Sequence, residues 1–105
     1  MTIKKKSDAV KFLEKIAGGP LTIASLLESI RMSDDVSQSA FAKKLKISKS
    51  HLCDIEKGRK FLSVSRAAEF ADILGYSKEQ FVRLALQDEV SRSGLKFKVK
   101  LDKAA

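Results

Sequence analysis

Apolar residues recur with a period near 3.6 along most of the chain, which predicts amphipathic helices. Ile23, Leu26, Leu27 and Ile30, for example, fall on one face of a helix. Hydroxyl or acidic side chains suited to N-caps precede each apolar segment, so we predict helices after Ser7 or Asp8, Thr22, Ser37, Ser48, Ser63 and Ser77. Glycines at 58, 75 and 94 follow the last three segments and predict their ends.

The pattern changes after residue 94. Leu95, Phe97, Val99 and Leu101 alternate with Lys96, Lys98 and Lys100, and this period of two predicts a single strand. No second strand is predicted elsewhere, so we expect this one to pair with another molecule, either a second copy or a partner protein. The alternative is a frayed tail whose alternation is accidental.

The length of 105 residues and 44% apolar composition predict a single folded domain rather than a disordered chain. We divide it into an N-terminal helical extension (residues 1–20), a main domain (21–94) and a C-terminal strand or tail (95–105). No apolar run approaches the roughly 20 residues that span a bilayer, and no signal-peptide pattern follows Lys4–Lys6. We therefore expect a cytoplasmic protein.

Positive charge is concentrated in the middle of the chain. The net charge is +8, and residues 37–62 carry seven cations and two acids between neutral or acidic segments. A concentrated basic segment favours a polyanionic partner over a charge that only maintains solubility, although a solvated basic face remains an alternative.

Residues 37–62 also carry a recognisable motif. Ser37 and Gln38 open a short helix, Ala42 is small, Ile47 and Ser48 form a turn, and Leu52-x-x-Ile55-Glu56-x-Gly58 follows. Ala67, Leu74 and the Gly75-Tyr76-Ser77 run continue the match. From about residue 21 to 86 the sequence resembles the Cro/CI-like (Xre) helix-turn-helix family of phage repressors and bacterial regulators.

The resemblance implies an all-α fold: a lambda-repressor-like domain of five helices, here with an extra N-terminal helix and a short C-terminal β-strand. It also implies that the helix after Ser48 enters the major groove of DNA. Lys49, Ser50 and Asp54 match positions that read bases in the family. At helical spacing, Ser50, Asp54 and Lys57 form an outward stripe opposite Leu52 and Ile55. For Asp54, an acid that would face a polyanion, a plain surface role is the alternative.

Other side chains around this helix are suited to phosphate contacts, which position a protein without reading sequence. Gln38 begins a helix, where its side chain and the free N–H groups can meet a phosphate together. The remaining candidates are Lys43, His51, Lys57, Arg59 and Lys60. His51 has the alternative of an ordinary exposed helix residue. The resemblance implies a structural role for Glu56 inside the motif.

The sequence carries no pattern typical of catalysis. No glycine-rich phosphate loop or nucleophile elbow is present, and His51 is the only histidine. His51 with the lone Cys53 supplies too few ligands for a zinc site. We therefore expect no enzyme activity, catalytic residue, metal or cofactor.

One such motif makes few base contacts, so we expect a homodimer on a palindromic operator in double-stranded DNA. The strand at 95–101 and the face of residues 81–90 are the candidate surfaces for the dimer, and the strand is also a candidate surface for a partner. A small basic protein of this build resembles the antitoxins of toxin–antitoxin modules, which bind a toxin and repress their own operon. The alternatives are a stand-alone phage-type or bacterial repressor and, in another class, a helical interaction module.

Overall fold

Five helices begin close to the positions that the sequence predicts. The computed structural model describes residues 21–104, and in this range α1 spans Ile23–Ser33, α2 Gln38–Leu45, α3 Lys49–Glu56, α4 Val64–Leu74 and α5 Lys78–Arg92. The predicted helix over residues 8–17 lies outside the described residues. No helix in this part of the chain has the length and hydrophobicity needed to cross a membrane.

Each helix starts at a hydroxyl side chain that accepts a hydrogen bond from the backbone N–H three residues later. The five capping residues are Thr22, Ser37, Ser48, Ser63 and Ser77. These caps satisfy donors that a helix leaves unpaired, which explains why the local sequence predicts the starts well. Gly75 follows α4 with a φ of 73°, a left-handed conformation that favours glycine.

The five helices enclose one hydrophobic core. Phe41 of α2, Phe70 of α4 and Phe81 of α5 are at most 1% exposed, and the apolar stripe of α1 is buried beside them. Of the helix pairs, α4 and α5 pack most extensively. α1 packs against α5 and α2 against α4, whereas α3 packs mainly against α2 and α1, and all three have their predicted apolar faces inward.

The prediction of a C-terminal strand is wrong for this chain. Within residues 21–104 no strand forms, and residues 95–104 have no regular secondary structure. The Gln87 side chain of α5 instead holds the tail: its Nε2 donates to the Phe97 carbonyl at 2.9 Å, and its Oε1 accepts from the Val99 N–H at 2.8 Å. One amide thus makes the two bonds that a neighbouring strand would make, but a single residue cannot form a ladder.

The turn between α2 and α3 contains a strained residue. Lys46 ends α2 with φ 63° and ψ 38°, and this left-handed conformation lets the Ile47 N–H donate to the Ala42 carbonyl at 3.0 Å. For an L-residue with a Cβ this conformation costs about 1–2 kcal/mol. Glycine is the usual residue at such a helix end.

We therefore expect Lys46→Gly to increase the free energy of unfolding by about 0.5–1 kcal/mol, since relief of strain exceeds the extra chain entropy of glycine. Urea unfolding measures the change. Lys44→Gly is the matched control: Lys44 is helical, so the same exchange there should cost about 1 kcal/mol. Equal destabilisation by both variants would contradict the strain at Lys46.

Candidate nucleic-acid interface

Two short helices and a three-residue connection form the centre of the candidate site. α2 ends at Leu45 and α3 begins at Lys49. Ala42, which the sequence places at the helix contact, is 1% exposed, and Leu52 and Ile55 are buried on the inner side of α3. The inner face of α3 is therefore committed to the core, and its other face is available for contacts outside the chain.

An ion pair between a partly buried arginine and a buried glutamate fixes α3 against α1. Arg31 of α1 donates from Nε to Oε2 of Glu56 at 2.9 Å and from Nη2 to Oε1 at 3.2 Å. The Glu56 side chain is only 1% exposed. The same guanidinium donates from Nη1 to the Val36 carbonyl, which precedes α2. The hydrogen bond to Glu56 raises the pKa of Arg31 above its usual value, and burial acts in the opposite direction.

Gln38 extends this network to α2. Its Nε2 donates to Oε1 of Glu56 at 3.1 Å, so one carboxylate joins the helices α1, α2 and α3. The predicted phosphate contact of Gln38 must be compatible with its hydrogen bond to Glu56. The amide keeps a second N–H and an acceptor oxygen, and the N–H groups at the start of a helix have no intrahelical partner. The structural role expected for Glu56 is confirmed by these contacts.

Lys49 and Ser50 lie in the first turn of α3 and are exposed. The Ser48 hydroxyl accepts from the His51 N–H at 3.0 Å and so determines where this turn starts. His51 itself is half-buried. The placement gives Lys49 and Ser50 the exposure that base reading requires.

Asp54 has cation partners within the chain. Arg59 Nε donates to its Oδ1 at 3.0 Å, and Lys60 Nζ lies 3.9 Å from its Oδ2. Helical spacing places Lys57 on the same stripe as Asp54, but the two cations that lie against Asp54, Arg59 and Lys60, come from the loop after α3. Asp54 is half-buried in this arrangement. A base contact by Asp54 would have to compete with these two partners.

The remaining phosphate candidates differ in environment. Lys43 and Lys57 are exposed, and Arg59 and Lys60 keep 58% and 59% of their side chains exposed despite the contact with Asp54. The structure thus places Lys57, Arg59 and Lys60 together in and just after the last turn of α3. Lys43 lies on the preceding helix α2.

Arg92 was not among the predicted site residues, yet it supports the loop after α3. Its guanidinium lies 3.8 Å from the centroid of the Phe61 ring, and Nη2 donates to the Gly58 carbonyl at 3.3 Å. This contact stabilises the segment between Gly58 and Phe61, which carries Arg59 and Lys60. Arg92 is 34 residues from Gly58 along the chain, so no local pattern in the sequence could have identified the contact.

Comparison with known families agrees with this geometry. The family description of the helix-turn-helix domain matches residues 22–84, more than half of the chain. The chain belongs to the helix-turn-helix domain family. Searches of curated proteins and of solved structures gave no match. Within the matched residues, α2, the turn at Lys46–Ser48 and α3 have the helix-turn-helix arrangement, and we call them the helix-turn-helix unit.

Among the residues that the structure describes, no three His, Cys, Asp or Glu side chains lie close enough to share a metal ion. Cys53 is a free, half-buried thiol on α3 of the helix-turn-helix unit.

The ion pair under the helix-turn-helix unit yields a stability prediction. We expect Glu56→Ala to lower the free energy of unfolding by about 1–3 kcal/mol, because the partly buried Arg31 and Gln38 side chains would lose their shared acceptor. Chemical denaturation measures the loss. The control is Glu69→Ala on the exposed side of α4, which should change stability by less than about 0.5 kcal/mol. A similarly small loss for Glu56→Ala would show that the pair does not hold the three helices together.

Proposed function

We propose that the protein is a transcriptional repressor of the Cro/CI-like type that binds double-stranded DNA in a sequence-specific manner. The observation that carries this proposal is that α3 has a buried side and an exposed N-terminal end. Leu52, Ile55 and Glu56 are buried, and Lys49 and Ser50 are exposed. A helix held in this way can enter the major groove with its first turn towards the bases.

Lys49 and Ser50 are the proposed base readers. Lys49 can donate to O6 and N7 of guanine, and Ser50 can pair with several bases. We propose Lys43, Lys57, Lys60, His51 and Gln38 as phosphate contacts, with the first N–H groups of α2 beside Gln38. The surplus of cations in residues 37–62 supports this arrangement.

We propose a homodimer on a palindromic operator, because one helix reads too few base pairs for a unique site. The main domain would end with Gly94, two residues beyond α5, and the tail would supply the contact. Leu95 and Phe97 are 50% and 67% exposed. Gln87 binds one edge of the tail at Phe97 and Val99, so we expect the exposed apolar side chains, rather than a strand ladder, to make the contact.

An antitoxin role is the finer proposal. An exposed apolar tail outside the matched domain is a surface that a toxin could cover. Co-expression with the neighbouring open reading frame tests it: co-purification of a small basic ribonuclease supports the antitoxin role. If no such protein is encoded there and the homodimer alone recognises an operator, the protein is a stand-alone repressor. If there is no salt-sensitive DNA binding at all, the helical interaction module remains.

Base reading can be tested with the double variant Lys49→Ala and Ser50→Ala. We expect it to lose about 1–3 kcal/mol for each base contact on the selected operator and little on random DNA. Titration of both duplexes at one salt concentration measures the two affinities. Equal losses on both would show that these residues contact only the backbone.

The tail can be tested by deletion of residues 95–105. We expect the truncated protein to shift from dimer to monomer in sedimentation experiments, because the apolar side of the tail is removed. Deletion of residues 102–105 alone is the control and should leave the dimer in place. A truncated protein that still sediments as a dimer would refute the role of the tail.

A further inference from the structure

Arg59 is held in a defined orientation at the end of α3. Its Nε donates to Asp54 Oδ1 at 3.0 Å, and its Nη2 lies 4.0 Å from the Cys53 sulfur. The backbone follows the same path: the N–H groups of Arg59 and Lys60 both approach the Asp54 carbonyl, at 2.8 and 3.2 Å. The loop therefore folds back on the last turn of α3 and lays the guanidinium against it.

This arrangement leaves the outer edge of the guanidinium available. Nε is used by Asp54, whereas Nη1 makes no hydrogen bond to any residue between 21 and 104, and the side chain is 58% exposed. An arginine carries five N–H donors in a rigid plane. The bond from Nε to Asp54 fixes that plane, so the outer N–H groups of Nη1 and Nη2 lie side by side and point in the same direction.

Asp54 lies on the face of α3 that the core does not use. It is four residues after Ser50, so the two residues lie on one side of the helix, and Leu52 and Ile55 are buried on the other. Through its bond to Asp54, the Arg59 guanidinium extends the same surface as Ser50, one turn further along α3.

We propose that Arg59 reads a guanine in the operator and that Asp54 is its positioning residue rather than a direct reader of cytosine. The proposal rests on the proposed function of sequence-specific DNA binding. The paired donors of an arginine match O6 and N7 of guanine in the major groove, and this is the commonest specific contact between proteins and DNA. Because Asp54 orients the Arg59 guanidinium before DNA binds, less side-chain entropy is lost when the contact to guanine forms.

The contacts of Asp54 favour this role over a phosphate contact. Asp54 accepts a hydrogen bond from Arg59 at 3.0 Å, whereas Lys60 Nζ lies 3.9 Å away and makes no hydrogen bond to it, so the carboxylate orients Arg59 and not Lys60. For a base-reading arginine the same carboxylate provides orientation, and Arg59 and Lys60 together offset its negative charge close to the polyanion.

Selection from a duplex library with a randomised region provides the first test. We expect the wild-type protein to select a guanine at a fixed position and Arg59→Ala to lose that preference by roughly 5- to 150-fold. Arg59→Lys keeps the charge but not the fork, so it should bind random DNA as wild type does and still lose the guanine preference. Thermal melting of each variant confirms that it is folded.

A base analogue distinguishes Arg59 from Asp54 as the reader. Replacing the selected guanine by 7-deazaguanine removes the N7 acceptor and leaves the opposite cytosine intact. We expect the substitution to weaken binding of wild type but not of Arg59→Ala. Asp54→Asn should reduce the guanine preference while its affinity for random DNA stays level or rises, because a negative charge is removed.

Two control variants complete the test. Lys60→Ala should weaken binding to all duplexes alike, as expected of a phosphate contact. Asp72→Ala removes a comparable exposed ion pair, with Lys78 at 3.2 Å, outside the helix-turn-helix unit and should leave the selected sequence unchanged.

The outcomes separate the two proposals. If Arg59→Ala loses affinity equally on every duplex, or if 7-deazaguanine has no effect on wild type, Arg59 is not a base reader and the proposed function stands. If Arg59→Ala keeps the preference and Asp54→Asn loses it, Asp54 reads cytosine directly. A wild-type protein that selects no sequence overturns both proposals.

Discussion

The arrangement of the helix-turn-helix unit depends on the buried carboxylate of Glu56. α2 and α3 contain eight residues each, too few to be stable as isolated helices, so their order comes from tertiary contacts. Glu56 lies at the end of α3 and binds Arg31 of α1 and Gln38 of α2. Removing Glu56 would leave the Arg31 guanidinium and the Gln38 amide without their shared acceptor, and this constraint favours a single mutual arrangement of the three helices.

The same short helix has to satisfy both the core and the candidate interface. Leu52, Ile55 and Glu56 of α3 are buried in the protein, whereas Lys49 and Ser50 are exposed to solvent. Loop residues then enlarge the outer surface: Asp54 binds Arg59, and Arg92 of α5 supports the loop through Gly58 and Phe61. The surface therefore depends on α5 as well as on the helix-turn-helix unit, because α5 carries Arg92.

In the C-terminal tail, residues 95–104, the sequence pattern predicts a strand that the structure does not form. The alternation of Leu95, Phe97, Val99 and Leu101 with lysines is typical of a strand, but a strand needs a partner ladder to exist. In the described chain the side chain of Gln87 takes two of the backbone groups instead. The alternation by itself does not supply a partner ladder, and the tail is irregular in the described residues.

Local features of the sequence determined the five described helices. The capping hydroxyls act on N–H groups three residues away, the apolar period acts within a helical turn, and Gly58 and Gly75 act at their own positions. Only the tertiary structure decided that Arg31 meets Glu56, that Arg59 rather than Lys57 pairs with Asp54, that Gln87 holds the tail and that Lys46 adopts a left-handed turn. Most of these contacts join groups distant in sequence or placed by a loop, and the strain at Lys46 persists because surrounding contacts fix the turn. Their existence follows from how the helices pack, which no short window of residues encodes.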